Sequence, residues 1–137
     1  MYIFKMSKKF ILLFIIQFFV FNSSISMEKE TTFDKKLFDK AQSEGKIVVV
    51  SSWIKYCSSC ASQMKVLNQA KNEGKLLDVN FQNIEYFSFD VTNKEIAELF
   101  NVKFQTTLLI FKDNKEVYRS LGETTEDLIY QALKKTI

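Results

Sequence analysis

The stretch that decides the fold is IVVVSSWIKYCSSC, which runs from Ile47 to Cys60. Its first four residues are apolar and β-branched on both faces, which predicts a short buried strand with parallel neighbours, ending at Ser51-Ser52. The cysteines at its other end open a segment whose apolar residues recur at helical spacing as far as Gly74. We therefore expect a buried strand followed by a helix with a cysteine pair at its N-terminus.

The position of Cys57 and Cys60 at a helix start carries the predicted chemistry. Unpaired backbone N–H groups and the helix dipole at that end favour negative charge, so a thiol there becomes a better thiolate. We expect Cys57, nearer the helix start, to be the exposed nucleophile that attacks a substrate disulfide. Cys60, one turn inward, is expected to resolve the mixed disulfide, because two intervening residues bring the sulfurs within bonding reach.

The residue inventory limits the other chemistries. The chain has two cysteines and no histidine, which excludes Ser-His and Cys-His catalysis and mixed Cys/His zinc sites within one subunit. Structural stapling is a poor explanation for the pair, because so short a loop restricts the unfolded chain only slightly. Two alternatives stay open: a metal shared between the cysteine pairs of two subunits, and a chaperone-like module without redox turnover. For the single chain we predict no metal site and no cofactor.

Helix and strand patterns continue on both sides of this stretch. Thr32 to Ala41 has apolar residues at helical spacing, with Thr31 or Thr32 as its cap and Gly45 at its end. Residues 84–91 alternate in the manner of a strand and are rich in aromatic side chains, which predicts that the strand is buried. These patterns predict a helix before the first strand and a second strand after the cysteine helix.

The last part of the chain carries four more predicted elements. Residues 92–95 form a capping box that starts a third helix. Residues 107–112 and 116–120 are strand-like and are joined by a tight hairpin turn at 113–114. A last helix is expected to begin at Thr124 or Thr125.

The order of these elements predicts an α/β fold. A right-handed crossover makes the first two strands parallel, and the closing hairpin adds two antiparallel strands to one side. The result is a central mixed four-stranded sheet with helices on both faces. We expect it to form one domain over residues 27–137.

Residues 1–26 have the layout of a signal peptide. Lysines at positions 5, 8 and 9 precede an apolar run over 10–21 that is interrupted only by Gln17. Small residues at Ser24 and Ser26 predict cleavage before Met27; the alternative is an uncleaved anchor, which would be the only membrane contact. Either way we expect the domain to lie outside the cytoplasm. Without residues 1–26 the chain carries 16 basic and 16 acidic side chains, so nucleic acid is not an expected partner.

Five segments of the chain resemble the thioredoxin superfamily. The similarity covers nearly all of residues 33–137, and the segments that carry it are 50–60, 87–90, 101–102, 107–114 and Gly122. Segment 50–60 is similar to the active-site stretch of that superfamily. The resemblance implies a thioredoxin-like fold and a thiol-disulfide oxidoreductase that acts on disulfide-containing proteins.

The leader and residues 33–46 are similar to exported members of the superfamily that reduce disulfides in the bacterial periplasm. This resemblance implies a periplasmic or otherwise extracytoplasmic reductant that is recharged by a membrane electron donor. Oxidants of the superfamily usually carry a helical insertion, which the short span between the second helix and the next strand cannot hold. We therefore expect a reductant.

The resemblance also assigns neighbours to the cysteine pair. Trp53 and Tyr56 correspond to aromatic positions flanking the active site, where they would shield the pair and offer an apolar platform, or simply pack. Ser51 stands where many thioredoxins have a buried Asp, and Tyr86 corresponds to the Lys that often faces that Asp. Proton transfer at Cys60 therefore lacks its usual carboxylate.

Gln105 and Thr106 correspond to the turn that faces the cysteines in the superfamily. Thr106 takes the place of a cis-proline, and we expect the Gln105-Thr106 bond to be trans, because a cis bond before a non-proline residue costs about 3 kcal/mol. The Thr106 hydroxyl is expected to lie within hydrogen-bonding reach of the Cys57 thiolate. Ser58-Ser59 stands between the cysteines in place of Gly-Pro.

Overall fold

The eight predicted helices and strands are all present in the computed structural model, which describes residues 31–73 and 83–137. The predicted leader at 1–26 lies outside the described residues. The helices are α1 (Lys35–Ser43), α2 (Ser58–Glu73), α3 (Lys94–Leu99) and α4 (Glu126–Thr136). The strands are β1 (Ile47–Trp53), β2 (Ile84–Asp90), β3 (Thr107–Lys112) and β4 (Lys115–Leu121). In this described part of the chain, no helix is both long and apolar enough to span a bilayer.

The strands form one mixed sheet in the order β2-β1-β3-β4. β1 runs parallel to β2 and antiparallel to β3, and β4 pairs antiparallel with β3. This arrangement confirms the predicted α/β fold and its central four-stranded sheet. β1 is thus a central strand, and the connection that follows it delivers the cysteine pair to the carboxyl edge of the sheet.

Two apolar cores cover the two faces of the sheet, because successive side chains of a strand point to opposite sides. Val49 packs in one core with residues of α2 and α4, including Leu67 and Leu133. Val50 packs in the other core with residues of α1 and α3, including Ala97. Helices therefore lie on both faces, as predicted, and the central strand is buried throughout.

The expected end of β1 at Ser51-Ser52 was wrong, since the strand continues to Trp53. Ser52 stays in the strand because its side chain is satisfied there: its Oγ donates to Phe104 O at 2.9 Å and accepts from Thr107 N at 3.0 Å. The buried serine thereby ties the end of β1 to the segment that enters β3. This tie holds the two chain segments of the candidate site together.

The predicted cap of α1 was wrong. Asp34 is the cap, with its Oδ1 accepting from Leu37 N at 2.9 Å. The Thr32 hydroxyl instead accepts from Ser88 N at 2.9 Å, and Thr31 accepts from Asp90 N at 3.2 Å. The two threonines are used to attach the chain to the edge strand β2.

The predicted capping box of α3 was displaced by one residue. Asn93 is the cap, and its Oδ1 accepts from Ile96 N at 3.3 Å. Thr92 is held outside the helix, because its hydroxyl donates to Asp90 Oδ1 at 2.8 Å. α4 begins at Glu126 with Thr125 before it, in agreement with the prediction, although the Thr125 side chain makes no capping hydrogen bond.

The hairpin between β3 and β4 turns at Asp113 and Asn114, as predicted. Both residues have positive φ, 51° and 60° respectively, which is the backbone form of the tight turns that match the twist of paired strands. β4 begins one residue earlier than expected, at Lys115, and ends at Leu121. The turn places β4 at the edge of the sheet.

Candidate active site

The cysteine pair lies at the N-terminal end of α2, as its position in the sequence predicted. Cys57 directly precedes the helix, and its carbonyl oxygen accepts from Ala61 N at 3.2 Å in the first helical turn. A disulfide joins Cys57 to Cys60, with the two Cα atoms 5.3 Å apart. Cys57 is partly exposed, whereas Cys60 is fully buried. The two sulfurs therefore differ strongly in their access to another molecule.

A backbone amide and two side-chain hydroxyls lie within hydrogen-bonding reach of the Cys57 sulfur. The Cys60 N–H donates to Cys57 Sγ at 3.1 Å. The hydroxyl oxygens of Ser59 and Thr106 lie 3.3 Å and 3.5 Å from the same sulfur. A negative charge on this sulfur would be stabilised by the amide, by either hydroxyl when it donates, and by the helix start.

Thr106 lies directly against both cysteines. Its peptide bond with Gln105 is trans, as predicted, and its φ is +59°, which is unfavourable for a β-branched residue. Its Oγ1 is 3.2 Å from Cys60 Sγ and 2.9 Å from Ser59 Oγ. The expected contact between Thr106 and the Cys57 sulfur is thus present, and a closer one to Cys60 accompanies it.

Backbone hydrogen bonds hold Thr106 in this conformation. Its N–H donates to Ser52 O at 2.8 Å, and its carbonyl oxygen accepts from Gly122 N at 2.9 Å. The same carbonyl oxygen accepts from Gln63 Nε2 at 3.3 Å. Contacts from β1, α2 and the residue after β4 therefore offset the cost of the positive φ.

Gln63 is a site residue that the sequence reasoning missed. Its side chain is fully buried, and its Nε2 also donates to Glu123 O at 2.7 Å. The signal was present: Gln63 follows Cys60 by three residues, so a polar side chain shares the apolar face of α2. Buried amides normally have polar partners, but the sequence did not say where they lie.

Replacing Gln63 with Leu is expected to lower the free energy of unfolding by about 1–3 kcal/mol. The Glu123 carbonyl oxygen loses the Gln63 donor, and the Thr106 carbonyl oxygen keeps the one from Gly122 N. We also expect slower disulfide exchange, since the Thr106 loop loses one of its ties. Chemical unfolding of the oxidised protein measures the first effect, and an insulin-reduction assay the second.

Gln131→Leu on the exposed face of α4 is the matched control for this change. It should leave the free energy of unfolding within about 0.5 kcal/mol and the exchange rate unchanged. Equal losses in both variants would show that Gln63 has no special role.

The predicted aromatic neighbours have different surroundings. Trp53 ends β1 and is buried, which favours packing over substrate contact. Tyr56 is 90% exposed beside Cys57, with Lys55 Nζ 5.1 Å from its ring centroid. Gln105 is exposed as well. Phe104, which the sequence reasoning did not single out, is 59% exposed on the segment leading to Thr106.

The positions of the family's Asp and Lys hold uncharged groups here. Ser51 is buried, and it lines a cavity of about 180 Å³ together with Asn68, Lys71 and Tyr86. Burial raises the pKa of the Tyr86 phenol, with a smaller contribution from Tyr130, so Tyr86 is neutral at physiological pH. None of Ser51, Asn68, Lys71 and Tyr86 supplies the carboxylate that many thioredoxins have near the buried cysteine.

The fold and the cysteine pair at the start of α2 define a thioredoxin-fold protein with a redox-capable disulfide. Residues 24–135 match the Thioredoxin family model, so the chain belongs to the thioredoxin family. It is 27% identical over 95 residues to a thioredoxin H-type from Fagopyrum esculentum, covering 69% of this chain and 76% of that protein. A thioredoxin H-type from Oryza sativa subsp. indica is 27% identical over 105 residues, covering 76% and 80%.

Solved structures give the same result for the fold. Trxlp from Edwardsiella tarda superposes with a TM-score of 0.64 at 26% identity, over 74% of this chain and 95% of that chain. Thioredoxin from Fasciola hepatica gives a TM-score of 0.62 at 23% identity, over 74% and 89%. With its Cys57–Cys60 pair, this member of the family is a thiol-disulfide oxidoreductase.

Proposed function

We propose that this protein is an exported reductant of protein disulfides, with Cys57 as the nucleophile and Cys60 as the resolving cysteine. The observation that carries the roles of the two cysteines is the asymmetry of the pair: Cys57 is partly exposed and Cys60 fully buried. The Cys60 N–H, 3.1 Å from Cys57 Sγ, further favours the Cys57 thiolate. A substrate therefore meets the more nucleophilic sulfur first.

The reaction consists of two exchanges. The Cys57 thiolate attacks one sulfur of a substrate disulfide, which forms a mixed disulfide and releases the other substrate sulfur as a thiolate. The Cys60 thiolate then attacks Cys57 Sγ, the second substrate thiolate leaves, and the Cys57–Cys60 disulfide forms. Two electrons have passed to the substrate. A dithiol donor in the membrane then supplies two further electrons, which reduce the Cys57–Cys60 disulfide by the reverse exchanges.

The surface around Cys57 suits protein substrates. Tyr56 on the connection to α2 and Phe104 on the segment before Thr106 expose large aromatic side chains. Exposed aromatic side chains of this kind contribute apolar contact area in protein recognition. We assign them to docking of the polypeptide that carries the substrate disulfide.

The direction of exchange is tested by the reduction potential of the pair. We expect a value near the about −270 mV of thioredoxins. Equilibration with glutathione buffers, followed by alkylation and mass measurement, gives this value. A potential as high as about −120 mV, typical of a strong oxidant, would contradict the reductant role.

Export is tested in the native host. The signal-peptide layout of residues 1–26 supports an extracytoplasmic protein. We expect an N-terminus at Met27 in the fraction outside the cytoplasm. Protein with Met1 in the cytoplasmic fraction would overturn export, and Met1 in the membrane fraction would indicate a tethered enzyme.

A further inference from the structure

Cys60 must give up a proton from a fully buried position. Its sulfur becomes a thiolate before it attacks the mixed disulfide, and burial disfavours that charge. In the usual active site a nearby carboxylate accepts this proton, but Ser51 occupies that place here. Another acceptor must therefore connect Cys60 with solvent.

No charged side chain in residues 31–73 and 83–137 hydrogen-bonds to Cys60 Sγ. The titratable groups on the elements around it include Lys55 and Tyr56 before Cys57, Lys65 and Lys71 on α2, Lys103 before Thr106 and Lys112 on β3. They also include Glu85, Tyr86 and Asp90 on β2, Glu123 before α4, and Glu126, Asp127, Tyr130, Lys134 and Lys135 on α4. Of these, the carboxylate of Glu123 accepts from Thr125 N, and that of Asp90 accepts from Thr92. The group that does reach the sulfur is the Thr106 hydroxyl at 3.2 Å.

The Thr106 hydroxyl connects Cys60 with an exposed serine. Thr106 Oγ1 is 2.9 Å from Ser59 Oγ, and Ser59 is exposed on the first turn of α2. A hydroxyl both donates and accepts hydrogen bonds, so each of the two can take a proton on one side while releasing one on the other. A continuous path therefore runs from the buried sulfur through Thr106 and Ser59 to water.

We propose that Thr106 and Ser59 form a hydroxyl relay that carries the proton of Cys60 to solvent during resolution of the mixed disulfide. The proposal rests on the proposed function of the cysteine pair. The Cys60 S–H bond breaks as Thr106 Oγ1 takes that proton and passes its own to Ser59, which releases one to water. The freed electron pair of Cys60 forms the bond to Cys57 Sγ, and the substrate thiolate leaves. In the recharging direction the same path returns a proton to Cys60.

The test separates the two exchanges by rapid mixing of reduced protein with an excess of an aromatic disulfide that releases a coloured thiolate. The rate of the first release reports attack by Cys57 and rises with the disulfide concentration. The rate of the second release reports resolution by Cys60 and is independent of that concentration. At neutral pH we expect the second release to slow about tenfold or more in Thr106→Val and Ser59→Ala, as for loss of a general acid-base group. Thr106→Ser keeps the hydroxyl and should restore the rate.

The pH profile distinguishes a relay from a purely structural role. At alkaline pH the higher hydroxide concentration removes the Cys60 proton whenever a local opening of the site exposes the sulfur, so the second release in the variants should approach that of the wild type. Ser58→Ala, the same change one residue away, serves as the matched control with an unchanged second release. Ser59 is exposed, so its variant tests the path even if Thr106→Val fails to fold.

An unchanged second release in Ser59→Ala and in any folded Thr106→Val would overturn the relay, and so would slowing of equal size at every pH. In both cases the proposed function stands, because exchange still occurs. A wild-type protein that releases no coloured thiolate would instead contradict the proposed function, and the relay with it.

Discussion

Replacing Cys57 with Ser is expected to abolish reduction of protein disulfides, with a loss of at least about a hundredfold. A serine hydroxyl has a similar shape, but it is not ionised at neutral pH and cannot form a disulfide. The fold should persist, because the lost bridge closes a very short loop and Cys57 lies at a partly exposed position. An insulin-reduction assay with a dithiol donor measures the loss.

The control for this variant is the reduced wild-type protein, whose thermal unfolding should match that of Cys57→Ser. A wild type that reduces no insulin but suppresses protein aggregation, with that effect retained in Cys57→Ser, would favour a chaperone-like module that uses the fold without turnover. A wild type that holds metal after anaerobic purification and reduces no insulin would favour a metal shared between two copies of the chain.

Replacing Cys60 with Ala is expected to stop turnover at the mixed disulfide. Cys57 still attacks the substrate, but the thiol that releases it is missing, so a covalent complex accumulates. Because Cys60 is fully buried, the smaller side chain leaves a small cavity that we expect to cost about 1 kcal/mol. Non-reducing electrophoresis followed by mass spectrometry of the complex identifies the partner and the bonded cysteine.

The double variant with Ser at position 57 and Ala at position 60 is the control for trapping. It should form no complex, and a reductant should release the partner from the single variant. The double variant has no cysteine, so complexes that persist in it would show that the trapped species is not a mixed disulfide through Cys57.

Much of the fold was predictable because the decisive signals are local. Four consecutive β-branched residues at Ile47 specify a buried strand, and helical spacing after Cys60 places the cysteine pair at a helix start. The tight turn at Asp113 is likewise encoded by its own residues. Such patterns depend on near neighbours in the chain, so the sequence alone displays them.

The missed features depend on partners that are distant in the sequence. β1 extends through Ser52 because Phe104 and Thr107 satisfy its hydroxyl. Gln63 is buried because its amide reaches the carbonyl oxygen of Thr106. The cap of α1 shifted for the same reason, since Thr32 found its partner at Ser88 on β2. In these cases a local preference gave way to a hydrogen bond formed only in the folded chain. The cap of α3 is an exception, because Thr92 bonds to Asp90 only two residues away.

The candidate site was predictable in its chemistry and not in its detail. The spacing of Cys57 and Cys60 indicated the redox pair, and the resemblance located Thr106 beside it. Its positive φ and its contact with Ser59 have no signal in the sequence. These two features place the Thr106 hydroxyl between the buried Cys60 sulfur and the exposed Ser59. They arise only when the folded chain brings the segment before β3 against the start of α2.

The most direct test is whether the protein reduces a substrate disulfide by oxidising its own Cys57–Cys60 pair. The measurement counts the disulfides that the substrate loses and the protein gains in a single turnover. Fully reduced protein is mixed with insulin, quenched with an alkylating agent and analysed by mass spectrometry of both chains. We expect one Cys57–Cys60 disulfide for every substrate disulfide reduced. Substrate disulfides that stay intact, or that are reduced while both cysteines remain as thiols, would contradict it.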